Sequence, residues 1–329
     1  MPRIRAFRLP ARASWVGISF LLVLVPAVLA AATLPPTILR LAEDRTVQGL
    51  ASRSRHAGDV DGDGYGDVIV GAQLNDAGGT DCGAAYVYFG GPKLDDVADV
   101  MLVGESADDR FGAAVGAAGD VNGDGYGDVV VGAYRNDAAG THAGRAYVYF
   151  GGAVPDATVD LTLTGPVVYG HLGSAVGTAG DVNGDGFDDL VVGASGTSGS
   201  RAGNAYVYFG GAAPDAVADL AMSGEAADNR FGGSVATAGD VNGDGYDDFV
   251  VGASSNDTGG TYAGAAYLFL GGAAPDTVAD LSLYGDAAYD EFGSRVGALG
   301  DLNGDGYDDF VVGASLADAA CTNAGAAYV

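Results

Sequence analysis

One nine-residue phrase is written five times along this chain. The clearest copy is Asp120-Val121-Asn122-Gly123-Asp124-Gly125-Tyr126-Gly127-Asp128, followed at once by Val129-Val130-Val131-Gly132-Ala133, and the others start at Asp59, Asp181, Asp240 and Asp301. The steps between starts are 61, 61, 59 and 61 residues. A phrase that recurs at one period marks a supersecondary unit that cannot bury its apolar face alone, so the units must stack on one another. The 329 residues therefore read as one repeat array rather than as two independent domains.

The phrase has a chemistry of its own. Oxygen-bearing side chains stand at positions 1, 3, 5 and 9: Asp59, Asp61, Asp63 and Asp67; Asp120, Asn122, Asp124 and Asp128; Asp181, Asn183, Asp185 and Asp189; Asp240, Asn242, Asp244 and Asp248; Asp301, Asn303, Asp305 and Asp309. Gly fills positions 4 and 6, where a tight turn calls for positive φ. Carboxylates alternating around such a turn converge on one centre, as a hard cation taking six to eight oxygens requires, often with the position-7 carbonyl among them. That carbonyl belongs to Tyr65, Tyr126, Phe187, Tyr246 and Tyr307. The expected ion is Ca²⁺, about one per repeat. The loop begins like an EF-hand but ends differently: position 12 is Val70 or Val131 where a bidentate Glu belongs, and the Val-rich run that follows suits a buried strand.

Charge supports a role for the loops. The chain carries 43 acids against 15 bases, a formal net charge of −28, and four of the bases (Arg3, Arg5, Arg8, Arg12) lie in the first twelve residues. Nucleic acid and anionic membrane surfaces are poor partners for that balance. Left without cations, each loop crowds like charges within a few ångströms. Two cysteines are too few for a disulfide framework, and His56, His142 and His171 fall at unrelated offsets.

Residues 1–32 read as a secretory signal peptide: four Arg, an apolar run from Trp15 to Leu29 broken by Pro26, then Ala30-Ala31-Ala32. An uncleaved anchor is the alternative, since Trp15 to Ala32 just reaches spanning length. With cleavage no membrane insertion is expected, and the expected localisation is secreted or cell surface. From residue 33 to 329 each repeat lays out as four short strands. In the second copy these run from Phe111 towards the loop (A), over Asp128–Ala133 (B), from Ala146 to Gly152 (C) and from Asp160 to Gly165 (D). Strand B is apolar on both faces and strand C alternates, so the fold class is all-β, a β-propeller of four-stranded antiparallel blades with calcium loops at 59–67, 120–128, 181–189, 240–248 and 301–309. The one short step comes from the B–C turn, 12 residues from Ala194 to Tyr206 against 14 from Ala133 to Tyr147.

The pattern resembles the FG-GAP repeat, the blade of the integrin α-subunit head propeller. Phe-Gly stands at Phe111-Gly112, Phe231-Gly232 and Phe292-Gly293, and Gly-Ala at Gly71-Ala72, Gly132-Ala133, Gly193-Ala194, Gly252-Ala253 and Gly313-Ala314. The family's Pro after Gly-Ala is replaced by Gln73, Tyr134, Ser195, Ser254 and Ser315. The third copy has His171-Leu172-Gly173 and the first Leu50-Ala51 in place of Phe-Gly. The resemblance implies seven blades, of which five are written here. Either the five are part of a larger ring, as the stop at Ala327-Tyr328-Val329 inside a strand C suggests, or five close a ring of their own. In the second case Ile38-Leu39-Arg40-Leu41 supplies the last D strand, and Cys82 and Cys321 lie on neighbouring blades.

The expected function is an exported adhesion or protein-interaction module in which calcium is structural. The turns opposite the loops, with Tyr134, Arg135, His142, Arg201 and Tyr262, are the expected contact face for a protein or a surface glycan. A lectin-like propeller, or the accessory propeller of a secreted hydrolase of the phospholipase D type, are the alternatives. No Gly-x-Ser-x-Gly elbow, Cys/His pair or phosphate-binding loop is written, so the chain is not expected to be an enzyme.

Overall fold

The computed structural model of the protein describes residues 53–196, 202–318 and 321–329. The expected signal peptide, Ile38–Leu41, Leu50-Ala51 and Arg201 lie outside the described residues.

Each repeat is one antiparallel meander. The first comprises β1 (Arg53–Gly58), β2 (Asp67–Ala72), β3 (Ala84–Tyr88) and β4 (Val100–Val103). The second comprises β5 (Ala114–Gly119), β6 (Asp128–Ala133), β7 (Arg145–Tyr149) and β8 (Leu161–Thr164). The third is β9 (Leu172–Gly180), β10 (Asp189–Ala194), β11 (Asn204–Tyr208) and β12 (Leu220–Ser223), and the fourth β13 (Phe231–Gly239), β14 (Asp248–Ala253), β15 (Ala265–Phe269) and β16 (Leu281–Tyr284). The fifth shows three strands, β17 (Phe292–Gly300), β18 (Asp309–Ala314) and β19 (Ala326–Tyr328). Strands B and D fall where the Val-rich and Leu-rich runs predict them. Strand A of the second copy starts at Ala114 rather than Phe111, although Phe111 still forms a bridge with Gly83 of the blade before.

The apolar core is laid down between blades rather than within one. Val131, Tyr147 and Tyr149 of the second blade join Ile69, Val87 and Leu102 of the first, and Val191 and Val207 of the third join Phe249, Val251 and Phe269 of the fourth. Strands β6, β10 and β14 are buried at every residue because a sheet lies on each side, which is why Val fills both faces. β18 is only partly buried, and among the described residues each shared core cluster joins consecutive blades and none joins the fifth to the first, so the five blades form an open arc.

The two halves of the Phe-Gly and Gly-Ala phrases meet at each junction. Phe111 wedges between blades one and two, 5.5 Å from the Tyr147 ring and edge-on to Tyr149 at 6.5 Å. Phe231 and Phe292 repeat the wedge against Tyr267 and Tyr328, each at 5.4 Å. Leu172 takes the same fully buried seat in the third copy, so that departure keeps the wedge. The Gly112 amide donates to the Gly132 carbonyl at 3.0 Å, and a Cβ on Gly132 would overlap the Gly173 carbonyl oxygen of the next blade. Both thiols are free: Cys82 is buried with its Sγ 2.9 Å from the Gly104 carbonyl, and Cys321 is exposed.

Candidate metal centre in the five aspartate loops

Each loop is the connection between the first and second strands of a blade. The pairings Gly58 with Asp67 and Gly119 with Asp128 close it, each just after an irregularity in the ladder. The first carboxylate folds the turn onto itself: Asp120 Oδ1 accepts the Asp124 amide at 3.0 Å and Oδ2 the Gly125 amide at 2.9 Å. The third and fifth side chains continue the spiral, with Asn122 Oδ1 accepting the Asp124 amide and Asp124 Oδ1 the Tyr126 amide. Asn122 Nδ2 also donates to Asp124 Oδ2 at 3.0 Å, a contact repeated by Asn183 with Asp185 and Asn242 with Asp244; Asn303 reaches Asp309 instead. Gly at position 4 has φ +73 to +75, and at position 6 +86 to +92, as the turn demands.

The ninth position is different in kind. Asp67, Asp128, Asp189 and Asp248 are fully buried. In the second copy Asp128 Oδ2 accepts the Val121 amide at 2.8 Å and Oδ1 the Gly151 amide at 2.8 Å, tying the loop to the end of the third strand. Burial pushes the Asp128 and Asp189 carboxyls up to about 7 and Asp248 to about 6, against the pull of those amides and with help from the first and fifth carboxylates. Asp67 is raised for the same reason. By contrast the exposed Asp301 lies below the usual carboxylate range, held there first by the Gly306 amide.

Two observations test the fit to a cation. One oxygen each of Asp59, Asp61 and Asp67 lies within 4.8 Å of the others. Asp59 Oδ1 is buried and has no hydrogen-bond partner, an acceptor left for something other than the protein. An all-oxygen set of this kind fits a hard divalent cation. In the first copy the structure thus brings together positions 1, 3 and 9, while Asp63 and Tyr65 are exposed at the rim. The other four copies carry the neutral Asn at position 3, on the same hydrogen-bonded frame in copies two to four and bonded to Asp309 in the fifth.

The FG-GAP repeat profile matches residues 56–88, 111–149, 172–208, 231–269 and 292–329, one match per blade and together more than half of the chain. The chain belongs to the FG-GAP repeat family. Integrin alpha-5 of Xenopus laevis is 33% identical over 171 residues, covering 49% of this chain and 16% of that protein. Integrin alpha-IIb of Mus musculus is 37% identical over 164 residues, covering 46% and 16%. A phosphatidylinositol-glycan-specific phospholipase D of Bos taurus is 37% identical over 147 residues, covering 41% and 17%. The FG-GAP chain thus matches about one sixth of the length of these relatives. A solved rhamnogalacturonan lyase overlays with a TM-score of 0.38 at 16% identity, over 79% of this chain and 46% of its own, too loose a likeness to carry an argument.

The FG-GAP loops also touch one another, which the spacing alone did not disclose. A Cβ on Gly62 would run into the Tyr126 ring of the next loop, and Gly123, Gly184 and Gly243 face Phe187, Tyr246 and Tyr307 in the same way. So the position-7 ring of each loop covers the position-4 Gly of the loop before it. Val121 and Val182 at position 2 are buried beneath the following blade, whereas Leu302 of the fifth loop is 62% exposed. The sequence signal for this contact is the aromatic at position 7 in every copy, the same residue whose carbonyl is an expected ion ligand.

On the opposite face, turns of adjacent blades pair by backbone bonds: the Tyr169 amide donates to Thr141 O at 2.7 Å and the Tyr289 amide to Thr261 O at 2.8 Å. Bulky residues there hold left-handed backbone, with φ 47 at His142, 55 at Tyr169, 52 at Tyr262 and 70 at Tyr289. His142 faces Tyr169 at 5.6 Å and Tyr262 faces Tyr289 at 6.0 Å. Tyr134 carries Arg135 over its ring at 5.7 Å. Tyr169 and Tyr289 were missed in the sequence, because their proximity to His142 and Tyr262 depends on blade docking. Among the described residues, no helix is long and apolar enough to cross a membrane.

Proposed function

We propose that this chain is the calcium-stabilised recognition propeller of an exported protein, holding about one Ca²⁺ in each aspartate loop as a structural support and meeting a protein partner with the opposite face. The observation that carries the calcium half is the orphaned, buried Asp59 Oδ1 at the head of a three-carboxylate group. Calcium here neutralises crowded carboxylates and rigidifies the turn; a loop that fills most of its own shell leaves little open coordination for catalysis. The contact half rests on the exposed pair Tyr262 and Tyr289, 46% and 59% exposed, on backbone that an Asn or Gly would adopt at lower cost. Exported localisation rests on the Arg-led apolar run at residues 1–32.

Metal analysis of protein equilibrated with calcium and then desalted tests the first half: about five Ca²⁺ per chain is the expected stoichiometry. Well-folded protein without calcium after that treatment would falsify it. A glycan array probed with the calcium-loaded protein separates the lectin-like alternative. Saccharide binding abolished by Tyr262→Ser with Tyr289→Ser would replace a protein partner by a sugar.

A further inference from the structure

The eighth loop position supplies no ion ligand in the reading above, and it is where the copies part company: Gly66, Gly127, Asp188, Asp247 and Asp308. Where Asp stands, it reaches backwards across the blade junction. Asp188 Oδ2 accepts the Asp120 amide at 2.7 Å, Asp247 Oδ2 the Asp181 amide at 2.9 Å, and Asp308 Oδ2 the Asp240 amide at 3.2 Å. A second bond runs the other way at each junction, from the amides of Asp188, Asp247 and Asp308 to the carbonyls of Asp120, Asp181 and Asp240 at 3.1, 3.1 and 3.0 Å. The residue that heads each of these loops is therefore gripped through both its N–H and its C=O by the next blade. Gly119, Gly180 and Gly239 leave the room, since a Cβ on any of them would overlap the reaching Asp side chain.

The first junction keeps half of this grip. The Gly127 amide donates to Asp59 O at 2.8 Å, but glycine offers no carboxylate to the Asp59 amide. A Cβ at Gly127 would stand 3.0 Å from the Asp59 nitrogen, so a side chain there would start beside that amide. The first loop is also the copy with a fourth carboxylate among positions 1, 3, 5 and 9, Asp61, where the others have Asn.

We propose that Asp188, Asp247 and Asp308 are positioning residues for the cation sites of the preceding blades: each fixes the first aspartate of a loop other than its own and adds negative charge beside it. The inference rests on the calcium reading and goes beyond it, because it makes ion binding in loops two, three and four depend on docking of the following blade. A charge-assisted hydrogen bond to a backbone amide is strong enough for its loss to be read in ion affinity.

Peptide-resolved hydrogen exchange of the full chain, followed through a calcium titration, tests it. Asp188→Ala raises the calcium midpoint for protection of residues 120–127 roughly tenfold while that of residues 181–189 stays within about twofold. Gly127→Asp, which adds a carboxylate at the first junction, lowers the midpoint for residues 59–66 and keeps the inference open to test if Asp188→Ala folds poorly. A shift confined to residues 181–189, or none at 120–127, overturns the proposal. Wild-type protein with no calcium-dependent protection in any loop overturns the calcium reading and this inference with it.

Discussion

At the scale of the residue, two glycines and one aspartate in each loop do separate jobs. A Cβ on Gly125 meets nothing within 4 Å, so its glycine answers only to φ +89, whereas Gly123 has φ +73 and also lies under the Phe187 ring. Gly125→Ala is expected to cost about 1–2 kcal/mol of left-handed strain. Gly123→Ala is expected to cost roughly 1–3 kcal/mol more, from overpacking at the blade junction. Urea unfolding of the two variants measures the difference, and equal costs would remove the interlocking of ring and glycine. The ninth aspartates set a pH dependence. Burial raises the folded carboxyls of Asp128 and Asp189 to about 7 and of Asp248 to about 6, above the unfolded value of 3.8, so without calcium the folded state binds more protons than the unfolded between those limits. Stability of chelated protein is therefore expected to fall as pH rises from about 4 to about 7, and calcium, which favours the charged form, to flatten the slope. Melting temperature against pH, with and without chelator, reads it; a chelated protein that gains stability over that window contradicts it. The turn and the left-handed glycines at positions 4 and 6 were legible from Asp and Gly spacing alone. The backward reach of Asp188 was not, because it joins residues 68 apart whose proximity exists only after blades dock.

At the scale of the element, the second strand and the Phe-Gly wedge set the blade. The run Val129 to Val131 was readable as a strand buried on both faces, and β6 is buried at every residue. What the run could not disclose is that its cover comes from two different sheets. The wedge shows the same limit. The sequence displays Phe231 beside Gly232, but not that the Phe packs back on Tyr267 and Phe269 while the Gly passes close to Gly193 of the preceding blade. Phe231→Ala is expected to destabilise by about 3–5 kcal/mol. Phe231→Leu, which copies the buried Leu172 of the third blade, should cost much less. Chemical denaturation of the two variants decides between a wedge defined by volume and one defined by aromatic contact: a Leu as costly as Ala points to the ring contacts.

At the scale of the molecule, the array is nearly one-dimensional, each blade held by its neighbours, so a change in any junction passes along the arc. The periodic sequence made the meander and its repetition legible, while the open arc emerges only from the sheets, since five copies of a phrase fit either a closed or an open arrangement. The net charge of −28 acts on this array as a whole. Self-repulsion of that size weakens a compact state, and it is concentrated where the loops line up, at junctions where Asp247 is already raised by burial and then by neighbouring Asp188, Asp181 and Asp308. About five calcium ions would offset roughly ten of the negative charges at the places where they are closest. If that is how the array is stabilised, monovalent salt substitutes for calcium in part, because screening shortens to about 8 Å at 0.15 M and about 3 Å at 1 M. The melting temperature of chelated protein is then expected to climb steeply with sodium chloride, and that of calcium-loaded protein to change little. Parallel slopes from a differential scanning calorimetry series would place the repulsion on the general surface instead, and would leave the loops held by their hydrogen bonds rather than by the charge they carry.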